Sequence, residues 1–178
     1  MDLILETPRL ILRELLPSDA EAMFKMDNNP NVHKYLWNKP TQTLDETKSI
    51  IEYVRGQYTE NGIGRFAIIE KSSGIFLGWA GIKFVTEPEN GHVNFFDFGY
   101  RLDEEFWGKG FASEASFAWL DYGFDVMNIE LMNASAQSEN GASNRILQKI
   151  GMNLLEQYVS NSVQWNWYEL KAEDYRKL

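Results

Sequence analysis

The chain has no cysteine among its 178 residues, two histidines, five prolines and no apolar run long enough to span a bilayer. The missing cysteine excludes disulfides, thiolate-bound zinc and a cysteine nucleophile, and leaves the redox compartment undetermined. Basic residues are the minority: 17 Lys and Arg against 26 Asp and Glu give a net charge of -9. Neither a nucleic acid backbone nor an anionic membrane surface is the expected partner of such a chain, whereas a cationic ligand suits it. Met1-Asp2-Leu3-Ile4-Leu5-Glu6 lacks the basic start and apolar run of a signal peptide, so the expected address is cytoplasmic.

Large apolar residues are present in quantity. The hydrophobic share is 44% and the aromatic share 14%, the balance of a packed protein with rings to line a core or a cleft. No repeat, linker or low-complexity tract interrupts residues 1–178, which read as a single domain. Residues 3 to 15, broken at Thr7-Pro8-Arg9, read as an edge strand or a kinked strand pair. A helix follows Pro17-Ser18-Asp19 with Ala22, Met23 and Met26 on one face, ending at Asn28-Asn29-Pro30. A second starts at Thr43 or Asp45, carries Ile50, Ile51, Val54 and Tyr58 inward, and closes at Asn61-Gly62.

The period then changes to that of strands, at Phe66 to Ile69, Phe76 to Ile82 and Val93 to Tyr100, with turns at Ser72-Ser73-Gly74 and Glu87-Pro88-Glu89-Asn90-Gly91. Phe111, Ala115, Ala118, Trp119, Tyr122 and Val126 mark a helix. Ile129 to Ala136 reads as a strand, and Asn140 to Ile150 as a short helix. Leu154 to Val159 and Val163 to Leu170 read as a hairpin around Ser160-Asn161-Ser162. The order is βααβββαβαββ: a mixed α/β fold with a mostly antiparallel sheet of about seven strands and helices on both faces.

Gly108 and Gly110 flank Lys109 where strand passes to helix. The backbone can turn tightly there and aim several N–H groups at one anion, helped by the helix dipole. Taken alone this turn is as well explained by structure as by ligand. A dinucleotide fingerprint fits partly, with Glu130 twenty residues after Gly110, but Ser113 replaces its third glycine and the strands before it form a meander. A P-loop fails because Gly110 follows Lys109 and no glycine stands five residues before it.

Four segments in order decide between these readings. Glu6-Thr7-Pro8-Arg9-Leu10-Ile11-Leu12-Arg13 with Ser18-Asp19, Asp97-Phe98-Gly99-Tyr100-Arg101-Leu102, and Trp107-Gly108-Lys109-Gly110-Phe111-Ala112-Ser113-Glu114-Ala115 are the first three. The fourth is Asn140-Gly141-Ala142-Ser143-Asn144-Arg145 followed by Lys149-Ile150-Gly151-Met152. Together they resemble the GNAT superfamily of acetyl-CoA-dependent N-acetyltransferases, in its RimJ/RimL-like branch, over almost the whole chain. Glu105 stands where Gln or Arg is common in the superfamily, and Met152 where Phe is usual.

The resemblance implies transfer of acetyl from acetyl-CoA by direct attack of an amine, with no metal. It places the cofactor on Trp107, Gly108, Lys109, Gly110, Phe111, Ala112 and Ser113, on the backbone of Leu102, and on Asn140 and Asn144. Ser143 would lie near the sulfur and support the leaving thiolate. The acceptor would be a ribosomal protein N-terminus or a small amine, and the branch suggests a homodimer.

Asp97 interrupts Phe95-Phe96-Asp97-Phe98, where an unpaired carboxylate is costly to bury. It reads either as the group that receives the ammonium proton or orients the amine, or as the partner of an arginine such as Arg65 or Arg101. Asn140 also reads as a plain helix cap. Trp37, in a loop between helices, and Tyr100 are candidates for the acceptor cleft, whereas Trp79 reads as core. His33 and His92 read as loop or surface residues. The competing functions are an acyl-CoA sensor without turnover and a nucleotide-dependent oxidoreductase.

Overall fold

The computed structural model describes residues 3–177. Met1, Asp2 and Leu178 lie outside them, and with them the first residues of the segment in which no signal peptide is read. The described chain runs β1 (Ile4–Glu6), β2 (Leu10–Glu14), α1 (Ala20–Asp27), α2 (Pro30–His33), α3 (Leu44–Asn61), β3 (Arg65–Glu70), β4 (Phe76–Val85) and β5 (Phe95–Leu102). It continues with α4 (Phe111–Asp121), β6 (Leu131–Gln137), α5 (Gly141–Lys149), β7 (Asn153–Ser160), β8 (Val163–Lys171) and α6 (Ala172–Tyr175).

Eight strands form one sheet in the order β1-β2-β3-β4-β5-β6-β8-β7, and every neighbouring pair is antiparallel except β5 with β6. The count exceeds the expected seven because Thr7-Pro8-Arg9 splits the first segment into a strand pair, the second of the two readings. The glycine turn does sit in a βαβ unit, β5–α4–β6, but that is the one parallel pair in the sheet, whereas a dinucleotide fold is built on successive parallel βαβ units, which counts against the oxidoreductase reading. The short α2 was also not foreseen: Pro30 stops α1 but then occupies the first turn of a new helix, capped by the Asn29 side chain on the Asn31 N–H.

Helices cover both faces. On one face α4 and α5 pack Phe111, Ala115, Trp119, Leu147 and Ile150 against Phe66, Ile68, Ala80, Ile82, Phe98 and Ala134. On the other, α1 and α3 bring Met23, Met26, Ile51 and Val54 onto Ala67, Ile69 and Phe76. The helix α3 starts at a reciprocal capping box between Thr43 and Glu46 and ends on Gly62 in the left-handed conformation. Ile50, expected inward, is exposed; it lies one residue round the helix from Ile51, on the edge of the buried stripe. Val126 is exposed as well, because α4 passes into a π turn over Tyr122–Val126, and the wider turn rotates the stripe away from the sheet. Asn161 and Ser162, both at positive φ, make the two-residue hairpin between β7 and β8. Among the described residues no helix is long and apolar enough to cross a membrane.

Candidate active site

The parallel pair sets the site. β5 and β6 are registered only at Phe96 with Met132 and Asp97 with Asn133. Beyond that point β5 stays on β4 as far as Leu102, while β6 stays on β8 as far as Gln137. A wedge therefore opens between two strands running the same way, and each strand hands over at the wide end to a helix start, α4 and α5 respectively. Asp103 donates its N–H to Leu77 O across β4, so the alternation of the strand turns the peptide groups of Leu102 towards the wedge. The indole of Trp107 donates to Leu102 O at 2.9 Å, which fixes the mouth of the opening.

At that mouth Gly108 (φ 72°) and Gly110 (φ 82°) both adopt the left-handed conformation. Gly110 is the N-cap of α4, and no side chain caps that helix. The first backbone N–H groups of α4 thus have no partner within the helix and face the exposed turn. The distant Thr7-Pro8-Arg9 turn braces it. Glu114, in the first turn of α4, accepts from Thr7 Oγ1 (2.6 Å), Arg9 N (2.9 Å) and Arg9 Nε (2.6 Å), and Arg9 Nη1 donates to Lys109 O at 3.0 Å. Lys149 Nζ, from α5, donates to Ser113 Oγ at 3.2 Å and adds a cation beside the first turn.

Burial pushes the Glu114 carboxyl up, but the hydrogen bonds from Thr7 and Arg9 and the charge of Arg9 outweigh it and lower the pKa. A lowered folded-state pKa stabilises the protein above the ordinary carboxylate range, and that stability is lost as pH falls through the folded value. Glu114→Gln is therefore expected to lower the melting temperature at pH 7 and to flatten its decline towards pH 3. Thermal melts across that range check this; parallel curves for both proteins would refute it.

On the α5 side, Asn140 Oδ1 accepts from Ser143 N at 3.1 Å, so Asn140 is an N-cap whose side-chain amide keeps its donors free among the described residues. Tyr100 packs on the core of the α4 and α5 face, with Ser143 near enough to act on its titration. Burial raises the Tyr100 phenol above its ordinary range, and Ser143 works against that rise. Tyr100 thus lies on the α4 and α5 face, away from Trp37, and does not join it in one cleft as expected. Asn144 does not face the wedge with free groups either. Its Nδ2 donates to Asn140 O (2.7 Å) and Gln137 O (2.9 Å), and its Oδ1 accepts from Asn166 Nδ2 and Tyr168 OH, both at 2.7 Å. With both donors and both lone pairs used, the side chain stitches α5 to β6 and β8, and the expected cofactor contact has no group left to make it.

The opposite face carries Asp97, and here the arginine reading is what the structure shows. Asp97 forms an ion pair with Arg65, each side chain 12% exposed. Arg65 also donates to Asp97 O at 2.8 Å and to Gly81 O. Burial lowers the pKa of the guanidinium and the Asp97 charge opposes that. Gly81 and Gly99 are cross-strand partners, and a Cβ on Gly99 would lie 2.8 Å from Arg65 Nη2. The Asp97-Phe98-Gly99 motif is thus a seat for a guanidinium. Arg101 bonds Asp27 at 2.7 Å, and Trp79 lies between the two arginines, with centroid distances of 5.6 Å to Arg65 and 4.9 Å to Arg101. His33, expected at the surface, is buried with Nε2 3.4 Å from Asp27.

Arg65, Arg101 and His33 line a cleft of about 1390 Å³ under the α2–α3 loop, with Trp37 and Trp79 among its walls. Trp37 (φ 62°) and Asn38 (φ 48°) hold consecutive left-handed conformations, unusual for a bulky residue, and the Trp37 ring packs on Trp165 with centroids 5.1 Å apart. Beyond Trp37 a second hollow of about 450 Å³ is lined by Glu89, Ser135, Tyr158 and Trp165. Glu89 went unnoticed because in sequence it is one residue of a Pro/Asn/Gly turn. Nothing local signals that the turn folds onto β6 and β7.

A model of the acetyltransferase (GNAT) domain matches residues 9–153. The chain is 32% identical over 146 residues to the uncharacterized N-acetyltransferase p20 of Bacillus licheniformis, covering 82% of this chain and 80% of that protein. The crystal structure of a GNAT-family acetyltransferase from Bacillus anthracis superposes with a TM-score of 0.81 at 25% identity, covering 96% and 99% of the two chains. The ribosomal-protein-S5-alanine acetyltransferase of Vibrio fischeri superposes with a TM-score of 0.77 at 18% identity, covering 98% and 99%.

Proposed function

The chain belongs to the GNAT acetyltransferase family, and we propose that within it the protein transfers acetyl from acetyl-CoA to a primary amine. The observation that carries the proposal is the β5–β6 wedge, with the uncapped start of α4 at its mouth. An uncapped helix start preceded by two left-handed glycines presents backbone donors, and the one carboxylate of its first turn, Glu114, is held by Thr7 and Arg9, which suits the donor's pyrophosphate. The wedge beside it presents the Leu102 peptide, to which a pantetheine amide can add like another strand.

When bound, acetyl-CoA supplies a thioester carbonyl carbon for an amine to attack. Trp107 to Ser113 hold its diphosphate; the free amide donors of Asn140 and the edge of Leu102 hold its arm. Ser143 at the start of α5 and Tyr100 on β5 are the hydroxyls on this side that can pass a proton to a leaving group. Trp37 overhangs the acceptor side. Asp97 serves this site by seating Arg65 beneath its floor. The RimJ/RimL branch is part of the proposal as a fold likeness, since the ribosomal neighbour is 18% identical.

The test is donor binding and turnover by the purified chain. Acetyl-CoA at 100 times its Kd is expected to stabilise the protein by about 2.7 kcal/mol in thermal melts, and free thiol should appear only when an amine is added. Stabilisation by NADH without any by acetyl-CoA would end this reading.

A further inference from the structure

Asp97 and Glu89 both face the α1 and α3 side of the sheet near the narrow end of the wedge, where Glu169 also accepts from Asn133, and their surroundings differ. Asp97 is spent on Arg65. Glu89 is close enough for its charge to act on Arg65, yet among the described residues it forms no ion pair. Its Oε1 accepts from Tyr158 OH (3.0 Å) and Ser135 Oγ (3.1 Å), and Oε2 accepts no hydrogen bond among them. Burial, and then the charge of Glu89, raise the pKa of the Tyr158 phenol, so Tyr158 stays a donor to that carboxylate.

The loop holding Glu89 is itself fixed. Glu89 and His92 exchange backbone bonds of 3.0 and 2.8 Å. The His92 ring stacks on Trp167 at 4.8 Å, and Asn90 Nδ2 donates to Glu156 on β7 at 2.8 Å. A carboxylate with one oxygen oriented by two neutral donors and the other oxygen free is a seat for a cation.

The hollow around it defines what kind. Glu89 is the one charged side chain in a lining that also includes Trp37, Tyr158, Val159 and Trp165. Trp165 is buried, and its indole N–H has no partner among the described residues. Aromatic faces beside a carboxylate favour an ammonium with an apolar body, and about 450 Å³ is the size of a small-molecule site. A polypeptide N-terminus would also have to lay its following residues, with their backbone donors and acceptors, against these ring faces. The adjoining cleft has Arg65 and Arg101 in its floor, which repel a second ammonium, and its two carboxylates are engaged at the start of α3: Glu46 accepts from the Gln42 and Thr43 N–H groups and Asp45 pairs with Lys48.

Resting on the acetyltransferase reading above, we propose that Glu89, walled by Trp37 and Trp165, is the ammonium-binding residue of the acceptor site, and that the acceptor is a small monoamine with an aromatic or aliphatic body. The test uses the full chain and 2-phenylethylamine as probe, with spermidine and an alanine-led tetrapeptide beside it. Binding to the acetyl-CoA-free protein is read by calorimetry. Glu89→Gln, which keeps an oxygen for Tyr158 and Ser135, is expected to weaken 2-phenylethylamine binding at least tenfold and to leave acetyl-CoA binding unchanged. Trp37→Ala should weaken the amine severalfold.

Equal amine affinity in wild type and Glu89→Gln, no binding of 2-phenylethylamine to the wild type, or preferential acetylation of the tetrapeptide or of spermidine would each overturn the proposal. Any of these with acetyl-CoA binding intact defeats the acceptor site alone. Loss of acetyl-CoA binding in the wild type defeats the wider reading instead, while amine binding can still be measured.

Discussion

Gly110→Val is expected to raise the Kd for acetyl-CoA about 100-fold while the protein stays folded. Gly110 caps α4 at φ 82°, a region that costs an ordinary L-residue roughly 1–2 kcal/mol and a β-branched one more. The chain can relieve this only by rotating Gly110 to negative φ. That rotation turns the Lys109 and Gly110 amides away from the point on which the start of α4 converges. Two hydrogen bonds to a charged group, at about 1.5 kcal/mol each for the weaker kind, amount to roughly 3 kcal/mol, or about two decades in Kd.

The brace adds to the effect. A Cβ at Gly110 would sit 3.4 Å from Arg9 Nη2, so the valine methyl groups press on the residue that holds Lys109 O. Gly108→Ala is the milder control: φ is also left-handed at 72°, but nothing lies within 4 Å of an added Cβ. Calorimetric titration of acetyl-CoA into both variants decides the matter. An affinity for Gly110→Val within threefold of wild type would show that the donor does not rest on this turn.

The same contrast between local and distant causes explains what the sequence disclosed. Elements whose signals lie within a few residues were legible: a start of α3 at Thr43 or Asp45, its Gly62 stop, the turn at Ser160-Asn161-Ser162, and the glycines before α4. The glycine turn, the start of α4 and the Asn140 cap, to which the proposal assigns the donor, were legible for the same reason, since they are contiguous motifs. The cleft and hollow proposed for the acceptor draw side chains from β3 to β8 and two loops, and side chains meeting there are far apart in sequence, as Glu89 is from Tyr158. Asn144 shows the converse. It belongs to a local motif, but its hydrogen bonds go to Gln137, Asn166 and Tyr168, so only the tertiary structure reveals that its capacity is consumed. Likewise Tyr100 and Asp97 are three residues apart on one strand, an odd separation that alternation must place on opposite faces.

Asp97→Asn is expected to unfold the protein at markedly lower temperature and to leave the pH dependence of acetylation unchanged. The guanidinium of Arg65 is enclosed by the sheet, over Gly81 and Gly99 and beside Trp79, with the Asp97 carboxylate as its counterion. Asparagine can still accept a hydrogen bond but leaves the charge uncompensated. Removing one partner of a buried pair costs about 3 kcal/mol at the low end. For a protein of this size that is a fall of roughly 6–12 °C in melting temperature. If the charge alone is at fault, Arg65→Met combined with Asp97→Leu should recover much of the loss, because an apolar pair of similar bulk carries no such penalty.

The alternative role predicts the reverse. A carboxylate that took the acceptor's proton would leave stability near wild type when changed to Asn, and turnover would fall with the loss of one limb of the pH profile. Melting curves of the single and double variants, read beside the pH profile of the single variant, separate the two. An unchanged melting temperature with a hundredfold drop in turnover would restore Asp97 to the chemistry.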